Sequence, residues 1–145
     1  MNWIVAATDG SEGANRAVEY AARWASREHL GLLIVNAIGG YGLPEKALRN
    51  LTQARNAWFD EMLTALSAET LKDARDRAWS IGAKSVELES RAGEVAPTLI
   101  EIAAQKNAQA IVVGKRGTGR VAGLLLGSVS QALVSLAPVP VVVVP

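Results

Sequence analysis

Short apolar runs that alternate with stretches of helical periodicity constrain this chain more than any other feature. Residues 3–8, 30–38, 108–113 and 140–144 are almost continuously apolar, and 83–90 sets Val86 and Leu88 against Glu87 and Glu89. A short unbroken apolar run between turn residues reads as a strand buried on both faces, whereas alternation reads as a strand with one face in solvent. Strands that alternate with helices pack as a parallel sheet with helices on both faces, an open Rossmann-like α/β fold of five strands. At 145 residues with 50% hydrophobic content, one domain spanning 1–145 has ample material for its core.

The helices follow from the spacing between those runs. Residues 12–29 place Ala14, Ala17, Val18, Ala21, Ala22, Trp24 and Ala25 on one broad face. Leu43 and Pro44 open a helical pattern that continues to Ile81. Unbroken, it would be on the order of 55 Å long at about 1.5 Å per residue, in a domain whose radius of gyration is roughly 15 Å. A break is therefore expected, with Ser67 as the N-cap of the second piece. Gly82 ends that helix, Gly93 turns the chain into a helix over 95–106, and a last helix covers 128–136.

Composition removes several function classes. The 15 Lys and Arg against 14 Asp and Glu leave a net charge of +1, without the basic excess of a nucleic-acid binder. The absence of cysteine excludes disulfides and thiolate metal sites. The lone histidine, His29, has no second histidine for a metal site or a serine relay, and its place near a helix end suits a surface role. No apolar stretch approaches the roughly 20 residues of a bilayer span, so a soluble cytoplasmic protein without membrane contact is expected.

Ligands of open parallel sheets lie beyond the carboxyl ends of the strands, where the strand order reverses. After the fourth strand the chain carries glycines at 114, 117, 119, 123 and 127, then Ser128, Val129 and Ser130. Gly114 and Gly117 let backbone turn and approach a ligand without a Cβ in the way. Gly127 and Ser128 stand where a helix begins, and the unpaired amides there favour a phosphate. The hydroxyls of Ser128 and Ser130 add donors, and beyond Ile102 the chain has no acid while Lys106, Lys115, Arg116 and Arg120 are basic. The loop is not a P-loop, since neither Gly123 nor Gly127 is followed by Lys and then Ser or Thr. The dinucleotide pattern is matched loosely by 117–122, but after the wrong strand and without the later ribose-binding acid. The loop after the first strand brings Asp9 to the same sheet edge, as an acceptor for ribose hydroxyls, a companion to a metal, or a helix cap with Gly10 and Ser11.

In these residues the chain resembles the nucleotide-binding branch of the universal stress protein family. That branch carries Gly, two residues, Gly, nine residues, then Gly followed by Ser or Thr. The pattern falls here on Gly114, Gly117, Gly127 and Ser128, and the likeness extends from the opening residues 5–11 to the closing 137–143. The resemblance implies a universal stress protein domain over 1–145 and a sheet of order 3-2-1-4-5, with ATP across the ends of strands one and four. It implies that Ala7, Thr8 and Asp9 meet the adenosine part and that Ala37 lines the base. Gly114, Arg116 and Gly117 approach ribose and phosphates, and Gly127, Ser128, Val129 and Ser130 clasp the phosphates. AMP or cyclic AMP are alternative ligands, with magnesium as a companion ion. Two departures stand out: many relatives have a small residue at Lys115 and a larger apolar one at Ala37. The family also implies a homodimer through antiparallel pairing of the last strands, consistent with an apolar edge at Val141–Val144 led in by Pro138 and Pro140.

Function then divides three ways. ATP as a structural or signalling ligand of a stress-response protein fits a complete loop without an obvious general base. A slow ATP hydrolase or phosphate-transfer enzyme is the alternative, because metal ions and positioning do most of the work in phosphoryl transfer. An interaction module with a vestigial site is disfavoured by the intact spacing.

Overall fold

The computed structural model describes residues 1–38, 57–115 and 126–145. Its strands are β1 (Trp3–Ala7), β2 (Gly31–Ile38), β3 (Val86–Ala92), β4 (Ala108–Gly114) and β5 (Val141–Val144). The helices among the described residues are α1 (Glu12–Glu28), α2 (Ala57–Ile81), α3 (Val95–Lys106) and α4 (Ser128–Leu136). The sheet has the order β3-β2-β1-β4-β5, and every neighbouring pair is parallel.

Adjacent residues of each central strand enter different cores, as a pleat of period two requires. Ile4 and Ala6, Leu32 and Ile34, and Val112 meet the small residues of α1 together with Leu71, Ala74 and Ala78 of α2. Val5, Leu33, Val35, Ile111 and Val113 meet Leu99 and Ile102 of α3 and Leu133 of α4. The buried stripe of α1 is alanine but for Val18, so the helix lies close against the sheet. Ser11 caps it, its Oγ accepting from the Ala14 amide at 3.2 Å. His29 ends it in the left-handed region at φ 55°, its amide bonded to the Ala25 carbonyl, which gives the histidine its place at a helix terminus.

The expected break at Ser67 does not occur. α2 runs unbroken through it for 25 residues, about 37 Å at 1.5 Å per residue. An N-cap serine turns its oxygen back to accept from helix amides. Ser67 instead donates into the core, to Asn36 Oδ1 at 2.6 Å. The proposed helix start at Leu43 and Pro44 lies outside the described residues.

The two sheet edges differ in chemistry. β3 carries Glu87, Glu89 and Arg91 along an edge laced by Lys106–Glu87 at 2.6 Å and Arg91–Glu89 at 3.1 Å. β5 is four half-buried valines. No described helix is long and apolar enough to cross a membrane.

Candidate functional site

Strands β2 and β3 lie on one side of β1, and β4 and β5 on the other, so the order reverses between β1 and β4. The register sets Ala6 opposite Val112. The chain therefore leaves β1 at Thr8 and Asp9, level with its exit from β4 at Gly114 and Lys115.

The exit from β1 is a nested turn. The Thr8 amide donates to the Val35 carbonyl at 2.9 Å, extending the ladder one residue beyond the strand. Thr8 Oγ1 accepts from the Gly10 amide at 3.1 Å, and Asp9 Oδ1 accepts from the Ser11 amide at 2.9 Å. Gly10 takes φ +82°, a conformation that side chains rarely adopt. Asp9 is half-buried, Ala7 is half-buried at the end of β1, and Ala37 is buried near the end of β2.

The exit from β4 touches the same turn through α1. A Cβ built on Gly114 would lie 2.9 Å from the Gly13 carbonyl oxygen and 3.0 Å from its carbonyl carbon. Gly114 thus lets the first turn of α1 close on β4, a reason for glycine that needs no ligand. Further hydrogen bonds join the two ends of the glycine loop and tie its start to β5. The Gly127 amide donates to the Lys115 carbonyl at 2.8 Å, and the Lys115 amide to Val144 at 2.7 Å. Ser130 Oγ donates to the Gly114 carbonyl at 2.8 Å. The hydroxyl expected to offer a phosphate a donor is therefore directed at the neck of the loop, and the residue is 2% exposed.

α4 begins at Ser128 after the N-cap Gly127, which supplies no side-chain cap. The amides of Ser128, Val129 and Ser130 have no intrahelical acceptor, as in any first helical turn. With the positive end of the dipole, such a terminus has the chemistry to accept an anion, and Ser130 ties it to the end of β4. The Ser128 side chain is exposed, and Val129 packs partly on the second core. Arg116 and Gly117 lie outside the described residues.

Lys106 does not belong to this cluster. α3 runs back against the strands, so its last residue sits at their amino ends. There Lys106 Nζ pairs with Glu87 and lies 3.9 Å from the centroid of the Trp3 ring. Another depression, of about 560 Å³, lies between α1 and α2, but Asp73 and Asp76 line it and oppose a phosphate there.

What sequence reading missed is a buried polar chain under the β1 turn. Asn36 Nδ2 donates to the Thr8 carbonyl at 2.8 Å, and Ser67 Oγ donates to Asn36 Oδ1 at 2.6 Å. Ser90 Oγ stands 2.8 Å from Ser67 Oγ. An Asn within the apolar run of β2 is the one signal that could have flagged it, since a buried amide needs partners.

The comparisons with known proteins agree with this architecture. The family model described as "Universal stress protein family" matches residues 1–145. Universal stress protein Rv1636 of Mycobacterium tuberculosis is 34% identical over 142 residues, covering 97% of this chain and 94% of that protein. A crystal structure of a universal stress protein in complex with cAMP is 28% identical with a TM-score of 0.72, covering 99% of this chain and 95% of that one. UspA from Lactobacillus plantarum shares the fold at a TM-score of 0.79 and 24% identity, covering 99% and 97% of the two chains. With its sheet order, its whole-length match and these relatives in agreement, the chain belongs to the universal stress protein family.

Proposed function

We propose that this protein binds an adenine nucleotide, ATP foremost, across the carboxyl ends of β1 and β4, as a ligand that signals or stabilises rather than as a substrate. The observation that carries the reading is the uncapped first turn of α4, tied by Gly127 and Lys115 to the end of β4 at the reversal of strand order. Three adjacent amides at a helix terminus suit phosphate oxygens. A carboxylate accepts up to about four hydrogen bonds, so the turn bond from Ser11 to Asp9 is compatible with ribose hydroxyls as further donors. The relative solved with cAMP supports the adenine part. Ala7, Thr8 and Ala37 would meet the adenosine end. Gly114, Arg116 and Gly117 would follow the chain of phosphates towards Gly127, Ser128, Val129 and Ser130. For Ser130 the group offered is the backbone amide.

Among the described residues no three His, Cys, Asp or Glu side chains gather as a metal site, so magnesium enters this reading as a companion of the triphosphate. The contrast between a charged β3 edge and an all-valine β5 edge supports a homodimer through Val141–Val144, because an apolar open edge invites pairing. Val134 and Leu136 on α4 are further exposed apolar side chains.

Titration calorimetry with ATP, AMP and cyclic AMP, each with and without magnesium, tests the binding. Heat is expected for at least one. Asp9→Ala is expected to weaken binding about tenfold or more, the scale of a lost hydrogen bond to a charged group, and Gly127→Leu to weaken it by placing a side chain at the helix terminus. No heat under any of these conditions refutes the reading. Phosphate release beyond one equivalent per site, abolished in Asp9→Ala, would move the protein to the hydrolase alternative.

A further inference from the structure

We propose that Asn36 and Ser67 are positioning residues of the nucleotide site, acting on Asp9 through the Thr8 carbonyl. This inference rests on the adenine-nucleotide reading above and assigns a role to two side chains that the glycine motif does not contain.

The direction of the chain follows from a count of hydrogens. The Thr8 carbonyl can only accept, so the group of Asn36 that faces it at 2.8 Å is the amide nitrogen. A reversed amide would set oxygen against oxygen. Asn36 Oδ1 then faces Ser67, whose single hydroxyl hydrogen is used in that 2.6 Å bond. Ser67 must therefore accept at its other contact, and Ser90 is the donor across 2.8 Å. The sequence of donation runs from Ser90, exposed on the edge strand, through Ser67 on α2 and Asn36 on β2, to the last carbonyl before Asp9.

That carbonyl belongs to the peptide whose amide is Asp9's own. Its plane is held from one side by the Asn36 bond, and the preceding peptide by the bond from the Thr8 amide to Val35. With both fixed, the direction in which Asp9 leaves the strand is fixed as well. Asn36 is 2% exposed and Ser67 4%, so water does not readily take over a lost bond. The polar chain also spans elements that are otherwise joined on this face by apolar packing. It is directional where that packing is not.

The test compares Asn36→Leu, which keeps the size of the side chain and removes its donor, with the milder Ser67→Ala. Affinities for adenosine, ATP and inorganic tripolyphosphate are measured by calorimetry on the full chain. Asn36→Leu is expected to weaken adenosine and ATP by a common factor of about ten, Ser67→Ala by about three, and neither to change tripolyphosphate binding. In the double variant Asp9→Ala with Asn36→Leu, the loss should match that of Asp9→Ala alone, because one residue acts through the other. Amide hydrogen exchange at Asp9 and Gly10 in nucleotide-free protein should accelerate in both single variants. Multiplying losses in the double variant, wild-type adenosine affinity in Ser67→Ala, or unchanged exchange at the turn would each overturn the proposal. If the wild-type chain binds no nucleotide while exchange at the turn still accelerates, the ligand reading fails and the positional coupling stands.

Discussion

Replacing Gly114 by alanine separates two reasons for a glycine at the end of β4. The added Cβ would sit 2.9 Å from the Gly13 oxygen, 3.0 Å from its carbonyl carbon and 3.4 Å from the Ala14 nitrogen. All three are backbone atoms of the first turn of α1, so no side chain can rotate away and the helix itself must move. Gly114 is not among the glycines with positive φ, so the cost is steric rather than conformational. Overpacking of a close contact costs about 1–3 kcal/mol, which lowers the thermal midpoint of a chain of this size by about 3–10 °C. Circular dichroism melts of nucleotide-free protein at one fixed concentration measure it. Because Asp9 lies immediately before the displaced turn, nucleotide affinity should fall in the same variant. A midpoint unchanged within error, with weaker binding alone, would refute the packing argument and return Gly114 to the ligand.

Gly31→Ala should act at the opposite end of the sheet, because its Cβ would meet the Trp3 ring at 2.5 Å and displace it from the Lys106 ammonium. A loss of about 1–3 kcal/mol in urea unfolding is expected, with altered indole fluorescence and unaltered nucleotide affinity. His29→Gly should stabilise by up to about 1 kcal/mol, since histidine is held at φ 55° and glycine adopts that conformation without a Cβ clash. Asn107→Gly at φ 54° should gain less, because asparagine tolerates the left-handed region. A denaturant midpoint that falls in His29→Gly would contradict this.

The elements were legible because a parallel sheet covered on both faces leaves a strong mark. β1, β2 and β4 are nearly all buried, and a continuous apolar run is what such strands need. α3 and α4 were readable because each follows a glycine-containing turn and ends on a change of pattern. β3 begins at Val86 rather than 83, since the chain leaves α2 through Gly82 at φ +117° and takes up the strand only after an irregular link. Ser67 was misread for a different reason. A serine inside a long helical pattern looks locally like a cap, and only the fold brings Asn36, 31 residues away, to take its hydrogen.

The candidate site was legible in its residue types and less so in their partners. Gly114 and Ser130 were singled out for a ligand and Lys106 for a positive loop, but the structure pairs them with Gly13, with the Gly114 carbonyl, and with Trp3 and Glu87. A motif records that a side chain is absent or that a hydroxyl is present, and says nothing of which neighbour required it. Gly114 meets a helix turn from one direction and is proposed to meet a ligand from another, and glycine is the residue that serves both. On that proposal, Gly114 and the Asp9 turn are not expected to vary independently. A side chain placed at Gly114 to remove a phosphate contact is expected to push on the first turn of α1, and through it on the carboxylate proposed to hold the ribose. Measurements of affinity in this region therefore need a stability measurement on the same variant before either role is assigned.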